Sequence, residues 1–174
     1  LLTQPLDRLC CFQDFNLLDN FNIKDNIFLP LVLAGRSYNE MNDALAPIAK
    51  KLNITDILCK YPYEVSGGQK QRTAVARALI TQPQVIMADE PTGALDSRAA
   101  GNLLDLFAQI NGEGQTILMV THSARAASNA GRVIFIRDGT LFHQLYRGEN
   151  SNEVMFQRIS DSLNAIVSVG EMDA

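Results

Sequence analysis

Apolar residues recur along this chain in two rhythms. Short unbroken runs occur at Leu9-Cys10-Cys11-Phe12, Val85-Ile86-Met87-Ala88 and Thr116-Ile117-Leu118-Met119-Val120. A run that is apolar at every position suits a strand covered on both faces, as in a parallel sheet. Elsewhere the rhythm is helical. Ser37-Tyr38-Asn39-Glu40 has the form of a capping box, and Met41, Ala44, Leu45, Ile48 and Leu52 follow on one face. Pro47 falls inside that pattern and is expected to kink the helix or mark a break. Tyr61-Pro62-Tyr63 reads as extended chain. Ser66 is a good N-cap for a helix from Gly67 to Ile80 that stops before Pro83. Asp96 or Ser97 can cap a further helix carrying Leu103, Leu104, Phe107 and Ile110 on one side, with Gly112 ending it. Val133 to Ile136, then Asp138-Gly139, then Thr140 to Phe142 predicts a hairpin with a tight turn, and Val154 to Val169 an amphipathic tail helix. Buried strands alternating with helices imply an α/β domain with a largely parallel sheet. The stretch between Phe15 and Gln82 reads as wholly helical, a separate lobe on that sheet.

Bulk properties narrow the picture a little. The 174 residues suffice for one hydrophobic core and not for two ordinary domains, and 47% hydrophobic with 20% charged residues is a globular composition. A net charge of -4 argues against a nucleic-acid partner, which usually meets a basic face. Cys10, Cys11 and Cys59 are odd in number with two adjacent, a poor disulfide framework that favours a reducing cytosol. They read as small buried apolar side chains rather than metal ligands. The longest apolar stretch, Ile27 to Ala34, contains Pro30 and is too short to cross a bilayer.

Four segments carry candidate chemistry. In Val65-Ser66-Gly67-Gly68-Gln69 two glycines open a helix, where backbone N–H groups and the helix dipole favour an anion and the Ser hydroxyl and Gln amide add donors. Taken alone, the same segment also reads as a glycine-rich turn into an ordinary helix. Asp89 and Glu90 close an apolar strand, at the sheet edge where α/β proteins place ligand chemistry. An Asp there can hold Mg²⁺ directly or through water, and an adjacent Glu can orient or deprotonate an attacking water. As a pair, they also read as the start of a polar loop. His122 follows another strand and would open on the same edge, where a neutral imidazole can meet a phosphate oxygen. Gln13, after the first strand, is a candidate metal or water contact.

The order of these segments resembles the motif series of ABC ATPases from Phe12 to Leu145. By that likeness Gln13 is the Q-loop residue and a second metal contact, and Ser66, Gly67, Gly68 and Gln69 form the signature motif. Asp89 is the Walker B metal-binding aspartate, Glu90 the catalytic carboxylate, Asp96 part of the D-loop and His122 the switch histidine. The stretches FQDFNLLD, YPYEVSGGQKQRTAVARALI and ADEPTGALDS resemble the branch that works with FtsX-like permeases. The tail LYRGENSNEVMFQRISDSLN is similar to the bacitracin-resistance, antimicrobial-peptide subgroup.

The resemblance implies a P-loop NTPase-like ABC core with a mostly parallel sheet and an inserted helical subdomain. Residues 1–14 would end a core segment, 15–82 form the helical subdomain, 83–145 the rest of the core and 146–174 a helical extension. It implies ATP and Mg²⁺, a head-to-tail dimer with a second, identical ATPase subunit, an FtsX-like permease as partner, and a place on the inner face of the cell membrane. A GxxxxGK[ST] phosphate loop, expected ahead of the Q-loop, does not occur in the 174 residues. The chain therefore reads as N-terminally truncated and inactive alone. Two alternatives are an ABC ATPase that serves no transporter and a non-catalytic partner-binding fragment.

Overall fold

A computed structural model describes the backbone of residues 9–12 and 17–170, with side chains over 17–165. The described residues fall into two compact units, one ending at Val120 and one beginning at Thr121.

In the first unit the three apolar runs become β1 (Leu9–Phe12), β2 (Val85–Asp89) and β3 (Thr116–Val120). They form a parallel sheet in the order β1-β2-β3, with Cys10 opposite Ile86 and Ile86 opposite Ile117. Central β2 buries Ile86 and Ala88 and half-buries Val85 and Met87. For β3 the expectation of two covered faces fails. One face of this edge strand carries no packed layer, and its Leu118 and Val120 are 49% and 55% exposed.

No strand interrupts residues 17–82. Helix α1 (Ile23–Leu33) opens against the carbonyls of Leu58 and Lys60, which accept from the Lys24 and Ile23 amides at 2.9 and 2.8 Å. These bonds satisfy donors that a helix start leaves orphaned. Helix α2 (Tyr38–Lys51) begins with the expected capping box. The Ser37 N–H donates to Glu40 Oε2 at 2.8 Å, which holds the Glu40 carboxyl below the ordinary carboxylate range. Met41, Leu45 and Leu52 are buried, and Ala44 and Ile48 pack beside them. Pro47 does not break α2, which continues to Lys51. Pro47 is exposed, so water can serve the carbonyl it leaves without a helical partner.

Tyr61 is extended as expected, but Pro62–Glu64 forms a 3-10 turn rather than extended chain, closed by the Tyr61 N–H on Glu64 Oε2 at 2.7 Å. Proline at the first position of such a turn supplies its φ at no cost. Helix α3 (Gly67–Leu79) follows, and α4 (Ser97–Gly112) buries the expected Leu103, Leu104, Phe107 and Ile110. Gly112 is still helical. The left-handed residue that turns the chain is Gly114, with φ of 99°.

One core joins these parts. Ile23, Ile27, Leu52, Ile54 and Ile57 from the helical stretch share a cluster with Ile86 of β2 and Phe107 and Ile110 of α4. A Lys51–Glu113 ion pair ties the ends of α2 and α4. Cys59 is exposed, against the expectation that the cysteines are buried, because it lies in the loop after Ile57 that turns toward α3. The side chains of Cys10 and Cys11 lie outside the described residues.

The second unit holds a short helix α5 (Ala124–Ala127), the expected hairpin β4 (Arg132–Arg137) and β5 (Thr140–Tyr146), and α6 (Asn152–Gly170). Its turn places Asp138 and Gly139 at φ of 51° and 75°, the two left-handed positions of a hairpin turn that follows strand twist. Phe135, Leu145, Met155 and Ile159 form its core. Among the described residues no helix is long and apolar enough to cross a membrane.

One buried polar side chain organises the entry to α1. Asn26 is 0% exposed, accepts from the Leu18 N–H at 2.8 Å, and holds its amide nitrogen 3.0 Å from the carbonyls of Leu18, Phe21 and Asn22. Truncation would take the side-chain partner from the Leu18 N–H and the Phe21 carbonyl, while the Leu18 and Asn22 carbonyls keep their bonds from the Phe21 and Asn26 amides; an unsatisfied group costs about 1–3 kcal/mol. Asn26→Ala is therefore expected to lower unfolding free energy by about 2–4 kcal/mol in urea titrations. A loss well under 1 kcal/mol would show that water replaces the bonds.

Candidate functional site

Helix α3 starts at Ser66, whose extended backbone (φ -69°, ψ 161°) turns the chain into the helix. Ser66 Oγ accepts from the Gln69 N–H at 3.3 Å, and Gln69 Oε1 accepts from the Ser66 N–H at 2.9 Å. Both side chains act here as acceptors. The Ser66 hydroxyl hydrogen and the Gln69 amide hydrogens thus remain as donors at a helix N-terminus. A Cβ built on Gly67 or Gly68 would meet nothing within 4 Å, and neither residue has a positive φ. Glycine in a helix costs roughly 0.5–1 kcal/mol relative to alanine. Nothing inside the described unit requires that cost.

At the C-terminal tip of β2, Asp89 is exposed and Glu90 half-buried. Glu90 adopts φ of 43°, a left-handed conformation that costs a non-glycine residue about 1–2 kcal/mol. Its neighbours hold it there. The Glu90 N–H donates to the Val120 carbonyl at 2.8 Å, extending the β2–β3 ladder by one residue, and its carbonyl accepts from the Gly93 N–H at 3.0 Å. Strain of this kind persists where surroundings over-determine it, and such places cluster at functional sites.

Asp96 caps α4, its Oδ1 accepting from the Arg98 and Ala99 amides at 2.9 and 2.8 Å. Of the two expected candidates it is Asp96, not Ser97, that caps. His122 belongs to the second unit, where it is exposed and precedes Ser123, the N-cap of α5. Gln13 lies outside the described residues.

Sequence reasoning missed Gln71. It is 6% exposed, and its amide nitrogen donates to the Pro91 carbonyl at 3.1 Å, joining α3 to the loop after Glu90. A signal was available. Gln71, Ala74, Val75 and Ala78 stand at i, i+3, i+4 and i+7, so a glutamine occupies the buried stripe of α3. A cleft of about 280 Å³ opens beside the 90–95 loop, lined also by Ala74, Val75, Leu103 and Phe107.

Among the described residues no three or more His, Cys, Asp or Glu side chains converge into a metal cage. The exposed carboxylate of Asp89 at the strand tip suits Mg²⁺, which is held by one or two carboxylates together with substrate phosphates.

Residues 7–93 match the family model described as ABC transporter. The chain is 49% identical over 156 residues to the ABC transporter ATP-binding protein YxdL of Bacillus subtilis, covering 89% of this chain and 60% of that protein. It is 47% identical over 149 residues to the bacitracin export ATP-binding protein BceA of Halalkalibacterium halodurans, covering 85% of this chain and 59% of that protein. It thus spans about 60% of the length of these relatives. The dimeric structure of MJ0796, a bacterial ABC transporter cassette, aligns with a TM-score of 0.68 at 34% identity, covering 81% of this chain and 63% of that one. A post-hydrolysis state of the same cassette, bound to ADP and Pi, aligns with a TM-score of 0.67 at 32% identity, covering 81% and 63%.

The strain at Glu90 generates a stability prediction. Glu90→Gly is expected to be about 1 kcal/mol more stable than Glu90→Ala in urea unfolding, because both lose the carboxylate and only glycine accepts the backbone freely. An alanine variant of equal or greater stability would mean that the left-handed conformation is not held in solution.

Proposed function

The chain belongs to the ABC transporter family, and from that premise we propose that it binds and hydrolyses ATP to power a membrane transporter. Its fold is the α/β fold of the ABC ATPase cassettes. The observation that carries the reading is the strained Glu90 at the tip of β2, beside the exposed Asp89, with helix α3 tied to the same loop. In the proposed reaction Glu90 orients or deprotonates the water that attacks the γ-phosphate, and Asp89 and Gln13 hold Mg²⁺. Bound Mg²⁺ supplies charge neutralisation on the phosphate oxygens. His122 would meet the γ-phosphate and fix the geometry of the water. Ser66, Gly67, Gly68 and Gln69 would present amides and donors to the phosphates of a nucleotide bound by a second subunit, with Asp96 at the same interface. The open space above Gly67 and Gly68 supports that reading, as does the dimeric state of the MJ0796 cassette.

The finer reading follows the same lines. Residues 15–82 act as a helical subdomain between core segments 1–14 and 83–145, and 146–174 as an extension. The partner subunit is a second identical ATPase, and the permease is of the FtsX-like type, with the chain peripheral on the inner face of the cell membrane. The cargo is an antimicrobial peptide or a related amphiphile. The likeness of the tail to the bacitracin-resistance type supports the cargo, as does the similarity to a bacitracin export protein.

Two measurements test the proposal. In the complete subunit, Glu90→Gln is expected to lower ATP turnover at least a hundredfold while ATP still binds, the signature of a group that acts in the transition state. Turnover at the wild-type rate would sink the assignment. The 174-residue chain itself contains no GxxxxGK[ST] loop to cradle the β- and γ-phosphates. A fluorescent ATP analogue with Mg²⁺ should show no saturation with it at micromolar concentration. Saturable micromolar binding would mean that other residues hold the phosphates.

A further inference from the structure

We infer that Gln71 is a positioning residue for Glu90, holding the catalytic loop in its strained form from the body of helix α3. Three observations converge on it. First, Glu90 sits at φ of 43°, so the segment needs external restraint. The Val120 carbonyl restrains the Glu90 N–H from one side, and the Gly93 turn restrains its own carbonyl. The next carbonyl, that of Pro91, is held by the Gln71 amide at 3.1 Å.

Second, packing does not replace that bond. A cleft of about 280 Å³ borders residues 90–95, lined by Gln71, Glu90 and Pro91 together with Leu103 and Phe107. A loop beside such a space has room to relax, and the amide-to-carbonyl bond is a directional tie across its edge. Third, Gln71 is polar in a place built for apolar residues. It is 6% exposed and shares its stripe with Ala74, Val75 and Ala78. An apolar residue there would cost nothing in desolvation, whereas a buried amide is tolerated only with its partner made. The cost of placing it there is accounted for by the position of the Pro91 carbonyl.

The tie also has a direction. Gln71 stands about half a turn beyond Gln69, the last residue of the phosphate-facing turn on α3. A shift of α3 along its axis therefore moves the Pro91 carbonyl and, through one peptide, the backbone of Glu90. On this view, the state of the glycine-rich turn is communicated to the carboxylate of the chain's own site.

The inference rests on the catalytic reading of Glu90, and the test separates the two. The variants are Gln71→Met, similar in length without a donor, and Gln71→Glu, the same size without the amide. In the 174-residue chain, hydrogen exchange of the Gly93 amide is expected to speed up about tenfold in either variant. In the complete subunit, single-turnover ATP cleavage is expected to fall about tenfold with the ATP dissociation constant within twofold. In a Glu90→Gln background, the same substitution should cost less than twofold further, since it acts through Glu90. Unchanged exchange and cleavage would overturn the inference, as would loss of ATP affinity in step with rate, or a full tenfold loss persisting in Glu90→Gln. Wild-type turnover by Glu90→Gln alone would instead fell the catalytic reading, leaving the tie to be judged by exchange.

Discussion

The parallel ladder on both sides of β2 is the constraint on which the rest of the first unit depends. It fixes Val85 opposite Leu9 and Thr116, and it carries the strand out to Asp89 and the Glu90 amide, still bonded to Val120. Because side chains alternate along a strand, this register buries Ile86 and Ala88 and leaves Asp89 as the first exposed residue at the tip. A shift of one residue would bury the carboxylate and expose the core. The helices then fill in around a fixed frame, with Phe107 and Ile110 of α4 joining Ile86 in the same cluster as Ile23 and Ile27.

Much of this was legible in the sequence wherever a local rule and the tertiary context agreed. The Ser37–Glu40 box, the Ser66 N-cap, the apolar stripe of α4 and the Asp138-Gly139 turn are written in a few adjacent residues and formed as written. Readings failed where exposure decided the outcome. Pro47 passes through α2 because its face meets water, Cys59 is open because its loop is superficial, and β3 is half bare because the face bearing Leu118 and Val120 meets water. None of these is visible in a periodicity. The Gln71–Pro91 contact spans 20 residues and depends on how α3 lies against the loop, so only the misplaced polar residue in an apolar stripe hinted at it.

Local consistency also breaks down at the candidate site, as it does at Asn53 and Gln82 outside it. Gly67 and Gly68 weaken a helix that has room for side chains, and Glu90 takes a backbone conformation that glycine would adopt more cheaply. A chain selected for stability alone would correct all three. Such departures from local preference gather where a fold does work beyond holding itself together. Their support comes from elsewhere, from the ladder to Val120 and from a core that runs from Ile23 to Ile110.

The bare flank of β3 has a consequence for how this polypeptide behaves in a tube. Leu118 and Val120 lie exposed on a strand whose outer rim meets no other strand among the described residues. Such a rim is a template for another extended segment, and nothing charged within Thr116–Val120 discourages the addition. Where that rim is uncovered it offers pairing to another extended segment, and the net charge of -4 does not by itself prevent it.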